Sequence, residues 1–264
     1  MKLKVEVHDL LPIQRKSAII EYLSNEGGCT IKQLSGILNV SEMTIRRDLK
    51  QLEAGGSVIL SHGGAVLAPD YVKEPKALDK ENRNRDVKER LASYAVEHFV
   101  KDGDVLVLEG GTTVSRMASY LGGFSQLTVL TNGLSTLNSL REEAGRHVVL
   151  CCGGTLREQS GTFVGPVAES FFDQFHADTV FLSGLGFTPE TGFTDPNLLD
   201  TRVKQAMIRS ARQTVMVLDS SKFGARSFTT TVMAPEVSAV ITDSGIPADL
   251  AEYFNRRGIP LHLV

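Results

Sequence analysis

Six short runs leave the C-terminal two-thirds of this chain little freedom: VLVLE (105–109), LTVLT (127–131), HVVLCC (147–152), ADTVFLS (177–183), QTVMVLD (213–219) and VSAVIT (237–242). Each is apolar and β-branched almost without interruption, as strands covered on both faces must be. Helical spacing lies between them, around 113–121, 133–143, 166–174, 196–211 and 247–257. A further helical stretch, 82–100, precedes them with Val87, Leu91, Tyr94, Ala95 and Phe99 in register. Strands alternating with helices predict an α/β domain built on a mostly parallel sheet.

Far upstream, SEMTIRRDL (41–49) combines a helix N-cap, an apolar stripe and an arginine pair. Ser41 is suited to cap the first-turn amides, and Ile45, Leu49 and Leu52 recur at i, i+4 and i+7, which defines a buried face. At about 100° per residue, Met43, Arg47 and Lys50 point away from that face, with Thr44 and Arg46 on its flanks. Before it, TIKQLSGIL (30–38) predicts a short helix with Thr30 and Gln33 as a capping box, and 39–41 form the turn. After it, Gly55 and Gly56, then SVIL, the turn His62-Gly63-Gly64 and AVL predict a two-stranded hairpin. The helix LPIQRKSAIIEYLSN (11–25) comes first, with Pro12 in its opening turn. Its Gln14, Arg15 and Lys16 either touch phosphate or lie on a solvated face, and residues 1–10 are expected to be a loose arm.

Together these segments predict a winged helix-turn-helix, whose second helix enters the major groove of DNA. Met43, Thr44 and Arg47 are candidates for base edges, Arg46, Lys50 and His62 for phosphates, and Ser41 stands with them at the helix start. Asp48, close to the core face and repelled by DNA, is assigned to a structural ion pair.

A DNA reader makes charge relevant. Net charge is −3, and residues 1–68 hold 8 Lys+Arg against 7 Asp+Glu. A single near-neutral head releases few counterions, so tight operator binding calls for several heads, and a dimer or tetramer is expected. No apolar run reaches the roughly 18 residues of a membrane span, and the N-terminus has no signal-like apolar core, which predicts a cytoplasmic protein without a membrane partner. Cys29, Cys151 and Cys152 suggest neither a disulfide framework nor a metal site, and no cofactor motif is visible. From 69 to 81 the pattern turns polar, with Pro69 and Pro75. The expected organisation is a DNA-binding domain at 11–68, a linker at 69–81 and a second domain at 82–264.

In open α/β sheets ligands bind outside the carboxyl ends of the strands. Four predicted strand ends here run into Gly110-Gly111-Thr112-Thr113, Asn132-Gly133, Gly153-Gly154-Thr155 and Asp219-Ser220-Ser221-Lys222. Each is an ordinary βα turn taken alone. Their convergence, with hydroxyls and one cation, suggests an anionic small ligand, and a phosphorylated sugar fits that chemistry.

TIRRDL (44–49) followed by HGGA (62–65) resembles the N-terminal domain of the DeoR/GlpR family of bacterial sugar-metabolism regulators. DGDVLVLEGGTT (102–113), TNGL (131–134), GGTLR (153–157), ADTVFLSGLG (177–186), VKQAM (203–207) and DSSKFG (219–224) resemble that family's sensor domain. The resemblance implies a C-terminal fold related to ribose-phosphate isomerases and CoA-transferases, serving as a sensor. On that pattern Gly111, Thr112, Thr113 and Lys222 would hold phosphate, and Asn132, Gly153, Gly154 and Asp219 would line the sugar side. The chain departs from it in Glu109-Gly110, where many relatives have an Asp before the GTT motif, and in Asp200, where a Glu is commoner.

The expected function is a transcriptional regulator, a repressor of carbohydrate use controlled by a phosphorylated sugar. The linker would pass ligand occupancy to the spacing of the heads. The alternative is a sugar-phosphate isomerase-like enzyme carrying a DNA-binding head, with Glu109, Asp195 and Asp219 as its acid and base candidates.

Overall fold

The computed structural model describes residues 10–54, 57–61, 63–68, 74–75, 77–141 and 145–264. The chain divides into two compact units, Met1–Lys73 and Glu74–Val264. The expected arm at 1–10 falls almost wholly outside the described residues, as do His62, the Gly55-Gly56 pair and Pro69.

The first unit has helices α1 (Pro12–Glu26), α2 (Ile31–Leu38) and α3 (Glu42–Ala54). Pro12 occupies the first turn of α1, where its missing N–H costs nothing. The capping box of α2 forms as the spacing predicts: Gln33 N donates to Thr30 Oγ1 at 3.2 Å and Thr30 N to Gln33 Oε1 at 2.8 Å. Asn39 takes the left-handed conformation that ends α2 (φ 49), and Ser41 Oγ accepts from Thr44 N at 3.1 Å to open α3. Ile45, Leu49 and Leu52 are buried, as are Ile19 and Leu23 of α1 and Leu34 of α2, and α3 packs on both of those helices. Strands β2 (Val58–Ser61) and β3 (Gly64–Leu67) form the wing. A strand of two residues, β1 (Cys29–Thr30), adds to β3 and gives the order β1-β3-β2. It is too short to leave a periodic signal.

In the second unit, α4 (Ala77–Asn82) covers the end of the stretch expected to be a linker (69–81) and the residue after it, and α5 begins at Arg85 and ends at Phe99. The predicted strand runs are β4 (Val105–Leu108), β5 (Thr128–Thr131), β6 (Val148–Cys151), β9 (Ala177–Leu182), β12 (Ala211–Val217) and β14 (Ala239–Thr242). With β15 (Leu261–Leu263), which the sequence reading missed, they make a seven-stranded sheet in the order β15-β14-β12-β9-β4-β5-β6, parallel throughout.

Alternation along each strand feeds two apolar layers. Val107, Val180 and Met216 face a layer with Phe172, Met207 and Phe254 of α7 (Pro166–Phe172), α8 (Leu198–Arg209) and α9 (Ala248–Arg256). Leu106, Leu108, Phe181 and Val215 face the other, with Leu91 and Ala95 of α5, Met117 of the 3-10 helix Val114–Gly123 and Leu140 of α6 (Leu134–Leu140). Coverage on both faces is why these strands read as unbroken apolar runs. Two small antiparallel additions stand outside the main sheet: the hairpin β7 (Thr155–Arg157) with β8 (Thr162–Val164), and the three-stranded set β10 (Gly186–Thr188), β11 (Gly192–Asp195) and β13 (Thr229–Val232).

The chain lays down β4, β5 and β6 in one direction and returns to place β9 on the other side of β4. The reversal between β4 and β9 opens a crevice at their carboxyl ends, the usual ligand position in such sheets.

Candidate functional site

The exposed side of α3 is the first site. Met43 is 75% exposed, Arg47 and Lys50 are exposed, and Thr44 is half-buried with its hydroxyl 2.9 Å from that of Ser41. Arg46 is exposed and paired with Glu42 at 3.5 Å, an i,i+4 contact that water largely screens. Met43, Arg46, Arg47 and Lys50 share one groove with Leu60, Ser61 and Gly63 of the wing. Within α3 itself, side chains long enough to reach base edges and backbone phosphates thus stand on the helix face turned from the core. Arg15 is not among them: it is 6% exposed, and its guanidinium pairs with Asp48, Nε to Oδ2 at 2.5 Å. The ion pair expected of Asp48 is therefore formed, and the phosphate-contact option for Arg15 is excluded by burial.

The second site is the β4/β9 crevice. Gly111, Thr112, Thr113 and Lys222 line it, all four expected to hold phosphate. Lys80, Arg83 and Lys88 stand with them. Lys88, buried on α5, donates to Thr112 Oγ1 at 3.2 Å and to the Lys80 carbonyl. Burial, helped by the neighbouring Lys222, Arg116 and Lys80 and resisted by Asp219, lowers its pKa to about 8. Burial also pushes Lys222 down, with Asp219 opposing.

The crevice floor carries charge of both signs. Lys204 Nζ lies 2.8 Å from Asp195 Oδ1 and 3.3 Å from Glu109 Oε1, and donates to the Ser183 carbonyl at 2.8 Å. Burial would lower Lys204, but the two carboxylates win and hold it well above the ordinary lysine range. Burial raises Glu109 against the pull of Lys204. Asp195 is delivered by the end of β11 and fixed by the Thr231 hydroxyl, Oγ1 to Oδ2 at 2.6 Å.

Four expected sugar-side residues stand elsewhere. Asn132 is 2% exposed and spans two loops, accepting from Gly110 N at 3.0 Å and donating to the Phe163 carbonyl at 3.3 Å. Asp219 lies behind Lys222, Oδ2 to Nζ at 3.9 Å, and accepts from Asn84 Nδ2 at 2.9 Å. Gly153 and Gly154 turn the chain from β6 into β7; at Gly154 (φ +109) a Cβ would come 2.8 Å from the Val164 carbonyl oxygen. None of the four lines the crevice, whereas Glu109, Asp195 and Lys204 do. Lys88 and Lys204 escaped the sequence reading as site residues. The available signal was a lysine on the apolar stripe of a helix, Lys88 before Leu91 and Ala95, and Lys204 before Met207.

Among the described residues no group of three or more His, Cys, Asp or Glu is placed to hold a metal ion, and no helix is long and apolar enough to cross a membrane.

A DNA-reading head followed by an α/β domain with a polar, cation-rich crevice is the organisation of a ligand-responsive transcription factor. The DeoR-like helix-turn-helix domain family matches residues 15–70 and the DeoR C terminal sensor domain family residues 83–244, and the chain belongs to the DeoR family of transcriptional regulators. It is 35% identical to the HTH-type transcriptional regulator GolR of Listeria innocua over 96% of this chain and 99% of that one. Identity is 36% with the HTH-type transcriptional regulator GlpR of Haloferax volcanii, over 95% and 97% of the two chains. With the glycerol-3-phosphate regulon repressor of Escherichia coli it is 30%, over 95% and 98%. Among solved structures it is similar to ribose 5-phosphate isomerase from Plasmodium falciparum (14% identity, 53% of each chain, TM-score 0.38). A likeness that distant assigns neither activity nor ligand. These relatives, matched over nearly their whole length, are named as regulators and repressors, and the chain is a regulator, not an isomerase.

Proposed function

We propose that the chain is a repressor of a carbohydrate-utilisation operon, acting in the cytoplasm as a homo-oligomer, whose DNA affinity is set by a phosphorylated sugar bound in the β4/β9 crevice. One observation carries the ligand class: Lys88, Lys222, Thr112 and Thr113 line the same crevice as the carboxylates of Glu109 and Asp195. Cations and hydroxyl donors suit a phosphate, and carboxylates accept hydrogen bonds from sugar hydroxyls. A plain dicarboxylate or an apolar ligand would meet like charge or unpaired polar groups at Glu109 and Asp195. The name of the Escherichia coli relative, tied to glycerol 3-phosphate, agrees with a phosphorylated polyol class.

On this reading Met43, Thr44 and Arg47 contact base edges, and Arg46 and Lys50 contact phosphates. Ligand regulates by binding two arrangements of the protein with different affinity. The test is a thermal-shift screen of the full chain against hexose, pentose and triose phosphates and their unphosphorylated counterparts. A native-state ligand raises the melting temperature by mass action. A rise confined to phosphorylated sugars, and reduced in Lys222→Ala, supports the reading. A rise with unphosphorylated sugars alone, or none at all, overturns the ligand class.

A further inference from the structure

The segment that opens the second unit does not merely lead into it. Glu74 reaches the hairpin β7–β8, where its carboxylate meets Arg157 side by side, Oε1 to Nη1 at 3.2 Å and Oε2 to Nη2 at 2.9 Å. Its backbone is held as well, with Gln159 Nε2 donating to the Glu74 carbonyl at 3.4 Å. The two side chains are each 16% exposed, so water screens the pair little. Arg157 also pairs with Asp200, and Asp200 Oδ1 accepts from Thr162 Oγ1 at 2.6 Å. Glu74, Thr162 and Asp200 line the same cavity as Glu109, Thr112 and Lys204.

One guanidinium therefore faces two carboxylates that line this cavity, and the two are not equivalent. Asp200 is fixed in the first turn of α8, where Asn197 caps the helix and the Thr162 hydroxyl holds it. Among the described residues, Glu74 pairs with Arg157 and its carbonyl accepts from Gln159. If Glu74 leaves, Arg157 and Asp200 remain a satisfied pair and no buried charge is orphaned. If Asp200 left, the Thr162 hydroxyl would lose its carboxylate partner. Glu74 is thus the exchangeable partner.

We infer that Glu74 is an internal ligand of Arg157, a latch that holds the segment leading to the DNA-binding head and that ligand entry into the crevice releases. The inference rests on the crevice being the ligand site. A phosphate ester entering the crevice brings negative charge beside the carboxylates of Glu74, Glu109, Asp195 and Asp200, and the carboxylate least tied down is the one that yields. The segment so released carries Pro75, Lys80 and Arg83, which line the crevice themselves. Ligand and latch thereby compete for one space, and competition of this kind makes coupling reciprocal.

The experiment needs no identified ligand. Duplex DNA is selected from a random pool with the full-length wild-type protein. Its affinity is then measured for wild type, Glu74→Gln and, as a control exposed in the same turn, Glu158→Gln, alongside amide hydrogen exchange. Glu74→Gln is expected to raise exchange in 74–83 several-fold with the sheet strands unchanged, and to change ligand-free DNA affinity fivefold or more. Glu158→Gln is expected to match wild type. DNA affinity within twofold of wild type, or unchanged exchange in 74–83, overturns the latch. Titration of inorganic phosphate into wild type and Lys222→Ala runs in parallel. Loss of phosphate binding in Lys222→Ala supports the crevice reading, and equal binding in both removes Lys222 from it while the Glu74 result stands or falls alone.

Discussion

Arg15 and Asp48, 33 residues apart, meet inside the first unit with Nε 2.5 Å from Oδ2, and the pair ties α1 to the recognition helix α3. Both side chains are almost fully buried. Removing one partner leaves a buried charge without compensation, which costs about 3–5 kcal/mol. Arg15→Ala should therefore weaken DNA binding although Arg15 touches no DNA, and should speed hydrogen exchange through α1 and α3. The double replacement Arg15→Met with Asp48→Leu should recover most of the loss. A protected head in Arg15→Ala would make the pair a bystander.

Arg47 is expected to behave in the opposite way. It is exposed and contributes nothing visible to the core, so Arg47→Ala should leave stability unchanged and lower affinity for selected DNA by about 1–3 kcal/mol. Lys50→Ala should weaken binding evenly across sequences and reduce the slope of affinity against salt by about one. Undiminished affinity in Arg47→Ala would mean that α3 enters DNA by another face.

The crevice should respond to pH through Lys88. Its pKa of about 8 in the ligand-free protein means that it begins to lose its proton just above neutrality. An anion beside it favours the charged form, so binding takes up a proton above pH 8 and becomes weaker as pH rises further. A phosphate ester is already fully ionised there, with its second pKa near ~6, and so does not contribute to the slope. Calorimetric titration of a bound phosphate ester from pH 7 to 9.5 should give an affinity loss approaching about tenfold per pH unit. Lys88→Met should flatten the profile, and a flat wild-type profile would place Lys88 away from the phosphate.

Gly110 and Gly133 predict a packing effect. A Cβ on Gly110 would lie 2.6 Å from the Gly133 Cα and 2.7 Å from Thr162 Cγ2. Backbone cannot yield as a side chain can, so Gly110→Ala should cost about 1–3 kcal/mol and lower the melting temperature by several degrees. An unchanged melting temperature would show that the β4 and β5 loops part more easily than their contact implies.

Part of this was legible from residue order. The caps at Thr30 and Ser41, the stripe of Ile45, Leu49 and Leu52, and the unbroken runs of β4, β9 and β12 record local preferences and two-sided burial, which leave a period in the chain. The glycines at 110 and 111 were visible as a place of close approach. What approaches Gly110 is Gly133 of the next loop, a fact that no spacing encodes. Short polar strands such as β7, β10 and β11 left no signal, because three or four residues carry too little alternation to stand above a loop.

The sequence by itself determined the two-part organisation, the helix-turn-helix with its exposed Arg47, the parallel sheet and the glycine-threonine loop at 111–113 that follows β4, since each follows from short-range period, capping and turn chemistry. Only the tertiary structure decided which charges work together. Arg15 with Asp48, Lys204 with Asp195 and Glu109, Lys88 with Thr112, and Glu74 with Arg157 are distant along the chain or carried on apolar stripes. Their roles arise from burial, which removes water from a charge and makes its one nearby partner decisive.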